Sequence, residues 1–195
     1  MSELHSTQNL VRNLANLPPA APIQQLHHYA YRAKDAEETR HFYEDILGLP
    51  LFHIIQSDIV PSTGEYCPYT HFFFRLQDGS CIAFFDLGDD QAALPSPNTP
   101  LWVNHISFRV NTVQELEAMK TRLQAEGIEV LGLTDHHIFK SIYFFDPNGV
   151  RLELTAQLAD AAHMQKESSN VHATLAAWTA RKQQWRAERA AAAST

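Results

Sequence analysis

Two histidines and one glutamate stand at positions where they could bind a metal ion. His28 and His105 begin two similar segments, and Glu153 lies between two leucines in an apolar run. A carboxylate on such a core-forming strand needs a partner, because burying an unpaired charge is costly. Two imidazoles and one carboxylate form a facial ligand set that suits Fe(II), and also catalytic Zn(II), Mn(II), Ni(II) or Co(II). The alternative is two core histidines and a structural glutamate.

A repeat in the chain predicts how these residues are positioned. The segments His28-Tyr-Ala-Tyr-Arg-Ala33 and His105-Ile-Ser-Phe-Arg-Val110 share one pattern and alternate as strands do. Each is followed by helical spacing and then by three short β-type runs, which gives the order β-α-β-β-β twice, in modules at about 26–87 and 104–155. The predicted fold class is α+β, with the paired modules of a domain at 23–156 forming a cleft around a metal.

His27 competes with His28 for the role of ligand. Strand alternation would place the two side chains on opposite faces. The repeat favours His28, because His105 stands at its place in the second module and Asn104 stands at the place of His27. His27 is interpreted as a packed or hydrogen-bonding residue.

Tyr143 is the next candidate for chemistry. The sequence Asp146-Pro147-Asn148-Gly149 favours a type I turn with a glycine bulge, which pairs Asp146 with Val150. That register places Tyr143 opposite Glu153 on the same face, where a phenol could donate a proton to a bound oxyanion or hold it. A two-residue loop would instead turn Tyr143 away, into ordinary packing.

Other histidines are candidates for acid-base chemistry. His136 and His137 follow Asp135 in a segment that reads equally well as a solvated turn. His71 and His53 lie in strands of the first module, where the repeat does not fix their direction. Ala83 holds the first-module place of Glu153, so no fourth protein ligand comes from there.

Composition limits the partners of the chain. It has 195 residues with a net charge of −7, 45% hydrophobic residues and two cysteines. An acidic chain without a basic cluster is a poor candidate for binding nucleic acid or an anionic membrane. No apolar run is long enough to span a membrane, and the first residues do not look like a signal peptide, so a cytoplasmic location is expected. Two cysteines outside a Cys-x-x-Cys motif do not predict a disulfide scaffold.

The two ends of the chain differ from the repeat. Residues 1–22 end in a proline-rich stretch and are predicted to be an N-terminal arm. Residues 157–195 are alanine-rich and lack Pro and Gly, which predicts a helical tail. Its apolar stripe would pack on the domain's own sheet or on a partner subunit; the stripe consists of Val171, Leu175, Trp178 and Trp185.

Four motifs in order resemble the vicinal oxygen chelate superfamily, which includes glyoxalases, bleomycin and fosfomycin resistance proteins and extradiol dioxygenases. They are Leu26-His27-His28-Tyr29-Ala30-Tyr31-Arg32, the segment from Arg40 to Pro50, Asn104-His105-Ile106-Ser107-Phe108-Arg109-Val110, and the segment from Ser141 to Leu154. The resemblance implies that His28, His105 and Glu153 bind a divalent metal. It also implies that the substrate is a small molecule with neighbouring oxygens, and that the protein forms a homodimer.

Within the superfamily the chain is most similar to the extradiol dioxygenases. That similarity implies an Fe(II) oxidoreductase that uses O2 on a small aromatic diol, assisted by Tyr143. One departure is the absence of an acid-base histidine near Ser80, so His71 or His137 is expected to substitute, with His53 and His136 as further candidates. The alternatives are a glyoxalase-like lyase or isomerase, a resistance-type transferase, and a non-catalytic module that sequesters a ligand.

Overall fold

The computed structural model describes residues 18–193 and contains two four-stranded sheets. The first module consists of β1 (His28–Ala33), α1 (Ala36–Arg40), a π-helical segment (His41–Ile46), β2 (Leu51–Ile59), β3 (Tyr66–Arg75) and β4 (Cys81–Asp86). The second consists of β5 (Ile106–Val110), α2 (Val113–Ala125), β6 (Leu131–Asp135), β7 (Phe139–Phe145) and β8 (Arg151–Gln157). Two helices follow, α3 (Ala161–Ser168) and α4 (Val171–Ala192). The predicted α+β class with two β-α-β-β-β modules and a C-terminal helical extension is confirmed.

Both sheets have the same topology. The strand orders are β1-β4-β3-β2 and β5-β8-β7-β6, and in each the first strand pairs in parallel with the last. The helix of each module begins at a side chain that accepts a backbone N–H, namely Asp35 from Glu38 and Thr112 from Glu115. The spacing of the sequence predicted both helices, although the first continues as a π-helical segment.

Alternate residues of the strands pack on different sides of the first sheet. Phe72, Phe74 and Phe84 face the helices and belong to the main core, which also contains the α2 residues Leu116 and Leu123. The intervening residues form a separate small cluster, made of Phe73, Cys81 and Ala83. We call the side turned away from the helices the site face of each sheet.

Contacts on the helical side join the two modules. The buried Tyr43 hydroxyl donates to Asp146 Oδ2 at 3.0 Å, and the Lys34 backbone N–H donates to Asn148 Oδ1 at 2.8 Å. Burial raises the pKa of Asp146, although hydrogen bonds from Val150, Tyr43 and Asn148 oppose that shift. The turn at 146–149 is therefore held against the first module, and the site faces are left free of these contacts.

The C-terminal tail does not pack on the domain's own sheet, which was one of its two predicted arrangements. Residues 171–192 are exposed except for Lys182 and Trp185, which are half-buried, so the apolar stripe does not cover the chain's own sheet. Trp178 and Trp185 contact each other, with ring centroids 5.5 Å apart. Of the predicted N-terminal arm, residues 18–22 form neither helix nor strand, and residues 1–17 lie outside the described part. No helix within residues 18–193 is both long and apolar enough to cross a membrane.

Candidate metal centre

The site face of the second sheet brings together residues from three strands. In the β5–β8 pair Ser107 lies opposite Glu153, and in the β7–β8 pair Tyr143 lies opposite Glu153. This register follows from the turn, in which the Asp146 N–H donates to the Val150 carbonyl at 3.0 Å and Gly149 has φ of +79°. The glycine bulge expected from the sequence is present, and it turns Tyr143 toward Glu153.

His105 lies just before β5 and points one nitrogen at Glu153. Its Nδ1 donates to the Val103 carbonyl at 3.0 Å, because a carbonyl can only accept. That bond leaves Nε2 as the nitrogen that faces Glu153, 3.2 Å from its Oε2. An imidazole nitrogen and a carboxylate oxygen at this separation could bind one cation together.

Glu153 is the buried carboxylate of the site. It is only 4% exposed, and its Oε1 is buried with no hydrogen-bond partner. Burial alone would raise the pKa of Glu153, but the hydroxyls of Ser141, Tyr143 and Ser107 and the imidazole of His105 lower it below its usual value. The side chain is therefore a carboxylate at neutral pH, with one oxygen that lacks a partner.

Tyr143 carries a hydroxyl next to this carboxylate. Its oxygen lies 2.8 Å from His136 Nε2, and the Arg151 guanidinium stacks 4.5 Å above its ring. Burial raises the pKa of Tyr143, and the neighbouring Glu153 raises it further. The phenol therefore keeps its proton at neutral pH and can donate it.

The structure places His136, rather than His137, against Tyr143. His137 lies in the turn before β7 with a left-handed φ of +69°, and its backbone N–H donates to Asp135 Oδ1 at 2.7 Å. His136 is exposed and its ring faces the sheet. The sequence pattern indicated both residues as acid-base candidates. It could not show which of them contacts Tyr143, because that depends on the backbone conformation of His137.

The candidate imidazoles of the first module, those of His28, His53 and His71, lie on the site face of the first sheet. The ring centroids of His28 and His71 are 5.9 Å apart, and Phe73 contacts the rings of His28, His71 and His53. His27 precedes β1, so strand alternation does not separate it from its neighbour, and the Nδ1 atoms of His27 and His28 are 2.7 Å apart. If His28 donates this hydrogen bond, its Nε2 is free to bind a metal.

His71 is fixed by two contacts. Its Nδ1 donates to the Phe84 carbonyl at 2.9 Å, and its ring stacks on Phe85 with centroids 3.7 Å apart. The side chain is buried although its Nε2 has no such bond. Of the two acid-base candidates that the sequence favoured, His71 is thus on the sheet that carries His28, and His137 is in the other module.

Replacement of His71 is expected to change how stability depends on pH. Burial lowers the pKa of His71, and the neighbouring His28 and His53 lower it further. The hydrogen bond to the Phe84 carbonyl opposes this shift. At low pH the unfolded chain therefore binds more protons than the folded chain does. The free energy of unfolding is unaffected by protonation of His71 well above pH 6.5 and decreases as pH falls below that value. His71→Asn keeps a donor for Phe84 but cannot titrate. The variant should therefore reduce the slope of the unfolding free energy against pH by up to about 1.4 kcal/mol per pH unit, which is the contribution of one proton.

Urea unfolding of the metal-free protein between pH 7.5 and 5.5 measures this slope. His172→Asn on the exposed α4 is the matched control and should leave the slope unchanged. An identical slope in His71→Asn and the parent protein would show that His71 is not the group responsible.

Within one chain the three predicted ligands do not all meet. His105 and Glu153 are in contact, whereas the ring contacts of His28 are all with first-module residues and His27. Among residues 18–193 no group of three or more His, Cys, Asp and Glu side chains is arranged to hold a metal ion. The described chain therefore presents two halves of a ligand set on two sheets.

The comparison with family models agrees with this architecture. A model described as Glyoxalase/Bleomycin resistance protein/Dioxygenase superfamily matches residues 25–154, more than half of the chain. The chain belongs to this superfamily. The match begins just before β1 and ends within β8, so it covers both modules and excludes α3 and α4.

Individual members of the superfamily show similarity at different levels. Over 53 residues the chain is 36% identical to the Bacillus subtilis (strain 168) protein named "Putative ring-cleaving dioxygenase MhqA", but that region is 27% of this chain and only 17% of the relative. A glyoxalase/dioxygenase structure from Nostoc punctiforme is 23% identical with a TM-score of 0.54, covering 73% of this chain and 99% of the other. A Mn(II) complex of a variant of the fosfomycin resistance protein FosX from Listeria monocytogenes is 22% identical with a TM-score of 0.53, covering 74% and 99%. These two structures support the fold.

The residues of the second sheet fit a divalent metal ion. Glu153 Oε1, which lacks a hydrogen-bond partner, and His105 Nε2 are both atoms of the type that such ions bind. A cation would supply the partner that Oε1 lacks. His105 and Glu153 are therefore the two predicted ligands that the structure brings into contact, whereas His28 lies on the other sheet.

Proposed function

We propose that the protein is a metal-dependent oxidoreductase of the extradiol ring-cleavage type, with His28, His105 and Glu153 as ligands of Fe(II). The substrate would be a small aromatic diol or another compound with neighbouring oxygens. The observation that carries the proposal is the convergence of His105 Nε2, the Glu153 carboxylate with its unpartnered Oε1, and the protonated phenol of Tyr143 on one face. The short alignment with a protein named as a ring-cleaving dioxygenase supports the choice of reaction.

The chain's own residues would position and protonate the substrate. A bound Fe(II) would supply the redox chemistry and hold both reactants in one place. Tyr143, as a proton donor, would bind the substrate oxygen on which negative charge develops. His136 Nε2 lies 2.8 Å from the phenolic oxygen and is exposed, so it could pass a proton between Tyr143 and solvent.

Hydroxyl groups around Glu153 would keep the carboxylate oriented. Ser107 and Ser141 each contact the Thr155 hydroxyl, at 2.9 and 3.0 Å, on the same face of the sheet. Their hydroxyls also lower the pKa of Glu153, which keeps the side chain ionised and able to bind a cation. Neighbouring groups of this kind hold a ligand in the orientation that a metal requires.

A second copy of the chain would supply the third ligand. His28 is exposed on the first sheet, and its contacts do not include His105 or Glu153. Large apolar side chains are also exposed on both modules and on the segment between them, as expected of a protein that buries them in an interface; they include Phe52, Ile54, Ile59, Leu101, Trp102 and Leu131. In a twofold dimer the first sheet of one copy would face the second sheet of the other, which completes two equivalent sites.

Mixing two inactive variants tests this arrangement. His28→Ala and Glu153→Gln are each expected to lose the metal, but unfolding and refolding them together at equal concentration should restore about a quarter of the wild-type metal content. Half of the pairs are then mixed, and each mixed pair has one intact site. If metal stays absent from the mixture while both variants refold, the site does not span two copies.

Oxygen consumption tests the reaction. The protein loaded anaerobically with Fe(II) should consume one O2 for each catechol cleaved, measured with an oxygen electrode across a panel of catechols and hydroquinones. Thiol-dependent turnover of methylglyoxal or an epoxide without O2 would establish the glyoxalase-like or transferase alternative instead. A purified protein that binds a diol but never a metal would be a sequestering module.

A further inference from the structure

We infer that an apolar pocket beside the first-module histidines binds an uncharged, apolar substituent on the substrate. The inference rests on the proposed function and adds a substrate class to it. The pocket has a volume of about 360 Å³ and lies where the β2–β3 hairpin turns over the end of β4. Its walls are Val60, Pro61, Ser62, Glu65, Cys67, Tyr69, Phe85 and Leu87.

The pocket continues the site face of the first sheet. Tyr69 and Phe85 are pocket walls whose rings contact each other, with centroids 5.4 Å apart. Phe85 also stacks on His71, and His71 is the neighbour of the proposed ligand His28. Two rings therefore separate the pocket from His28. A molecule held at the metal through its oxygens could extend a substituent over His71 into this space.

The size of the pocket indicates a substantial substituent. A dry cavity of ~150 Å³ is enough to hold benzene, so this pocket is roughly twice that size. It could accept an aryl ring or a short alkyl chain. Specific ligand sites generally begin at about this volume and are lined mainly by apolar side chains, as this one is.

The charges of the pocket select against anions. Glu65 is the acidic residue among the walls, which include neither Lys nor Arg. A carboxylate or phosphonate on the substituent would face a like charge without a compensating cation. The pocket therefore favours a neutral substituent over an anionic one of the same shape.

Cys67 makes occupation of the pocket measurable without catalysis. Its thiol is half-buried in the pocket wall, whereas Cys81, the second cysteine, is buried. Burial also raises the pKa of Cys81, which makes that thiol less reactive. A thiol reagent should therefore label Cys67 first, and a ligand in the pocket should slow that reaction.

The test uses propylbenzene, which has the apolar group but no oxygens to bind a metal. At about four times its dissociation constant it should slow labelling of Cys67 roughly fivefold, with or without metal. Cys67→Ser should abolish the fast labelling and so identify the thiol. Unchanged labelling at saturating propylbenzene would overturn the inference. So would labelling that slows with protein concentration alone, because a second copy would then fill the pocket.

Two variants and three diols separate the pocket from the catalytic centre. The metal-loaded protein should bind 4-propylcatechol at least about tenfold more tightly than 3-(3,4-dihydroxyphenyl)propanoate, as buried methylene groups and a repelled charge require. Glu65→Gln should reduce the ratio of these two affinities. Leu87→Asp should weaken the binding of 4-propylcatechol and leave the binding of catechol unchanged. Equal affinities in all three proteins would overturn the inference even if catechol is cleaved. Protection of Cys67 by propylbenzene in a protein that never consumes O2 would uphold the pocket and refute the proposed reaction.

Discussion

Glu153→Gln is expected to weaken Fe(II) binding at least about 100-fold and to abolish oxygen consumption. The change preserves the shape of a side chain that is 4% exposed, but it removes the negative charge that a cation requires. It also replaces the charged acceptor of the hydrogen bonds that hold the pKa of Glu153 below its usual value, so the metal-free variant should be less stable than the parent by about 1 kcal/mol. Anaerobic titration calorimetry gives the affinity, and urea unfolding gives the stability.

The matched control for this change is Glu117→Gln, in which the carboxylate lies on the exposed side of α2. It should bind Fe(II) with wild-type affinity. Wild-type affinity in Glu153→Gln would show that this carboxylate is structural. A fall in stability of several kcal/mol would show instead that its main role is in the core.

Tyr143→Phe is expected to lower kcat by about 10²–10⁴ while Fe(II) binding is retained. The hydroxyl that it removes is a donor at neutral pH, because burial and the adjacent Glu153 raise the pKa of Tyr143. The ring and its contact with Arg151 remain, so the effect should appear in kcat more than in KM. Steady-state oxygen consumption with catechol measures both.

Two further variants show whether the Tyr143 effect is specific. Tyr66→Phe removes an exposed hydroxyl at the start of β3 and should leave kcat unchanged. His136→Gln should lower kcat by less than Tyr143→Phe does, because water can replace an exposed group that relays a proton. If Tyr143→Phe also lost the metal, the phenol would act by holding Glu153 in place, and its assignment as a proton donor would be wrong.

The position of Tyr143 was predictable because local chemistry determines it. The turn at 146–149 requires a residue with positive φ, Gly149 provides it, and the resulting bulge fixes which residues of β7 and β8 lie opposite each other. The duplicated pattern likewise predicted that His28 and His105 stand at the start of equivalent strands. These are features of a few neighbouring residues, and the sequence contains them in full.

The separation of His28 from the other two ligands was not predictable from spacing. It depends on how the two sheets are joined, which long-range contacts such as Tyr43 to Asp146 and Arg122 to the Ile46 carbonyl determine. The orientation of His136 has a similar origin, because it depends on the left-handed backbone of His137. The apolar stripe of α4 predicted that the helix packs on something, but it did not specify what.

The metal content of four variants tests the central claim, that His28, His105 and Glu153 share one ion. Each protein is loaded anaerobically with Fe(II), freed of excess metal by gel filtration and measured by elemental analysis beside the parent. We expect about one iron per chain in the parent and in His172→Ala on the exposed α4, and almost none in His28→Ala, His105→Ala and Glu153→Gln. Full iron content in His28→Ala, or a parent protein that binds no iron, would contradict the central claim.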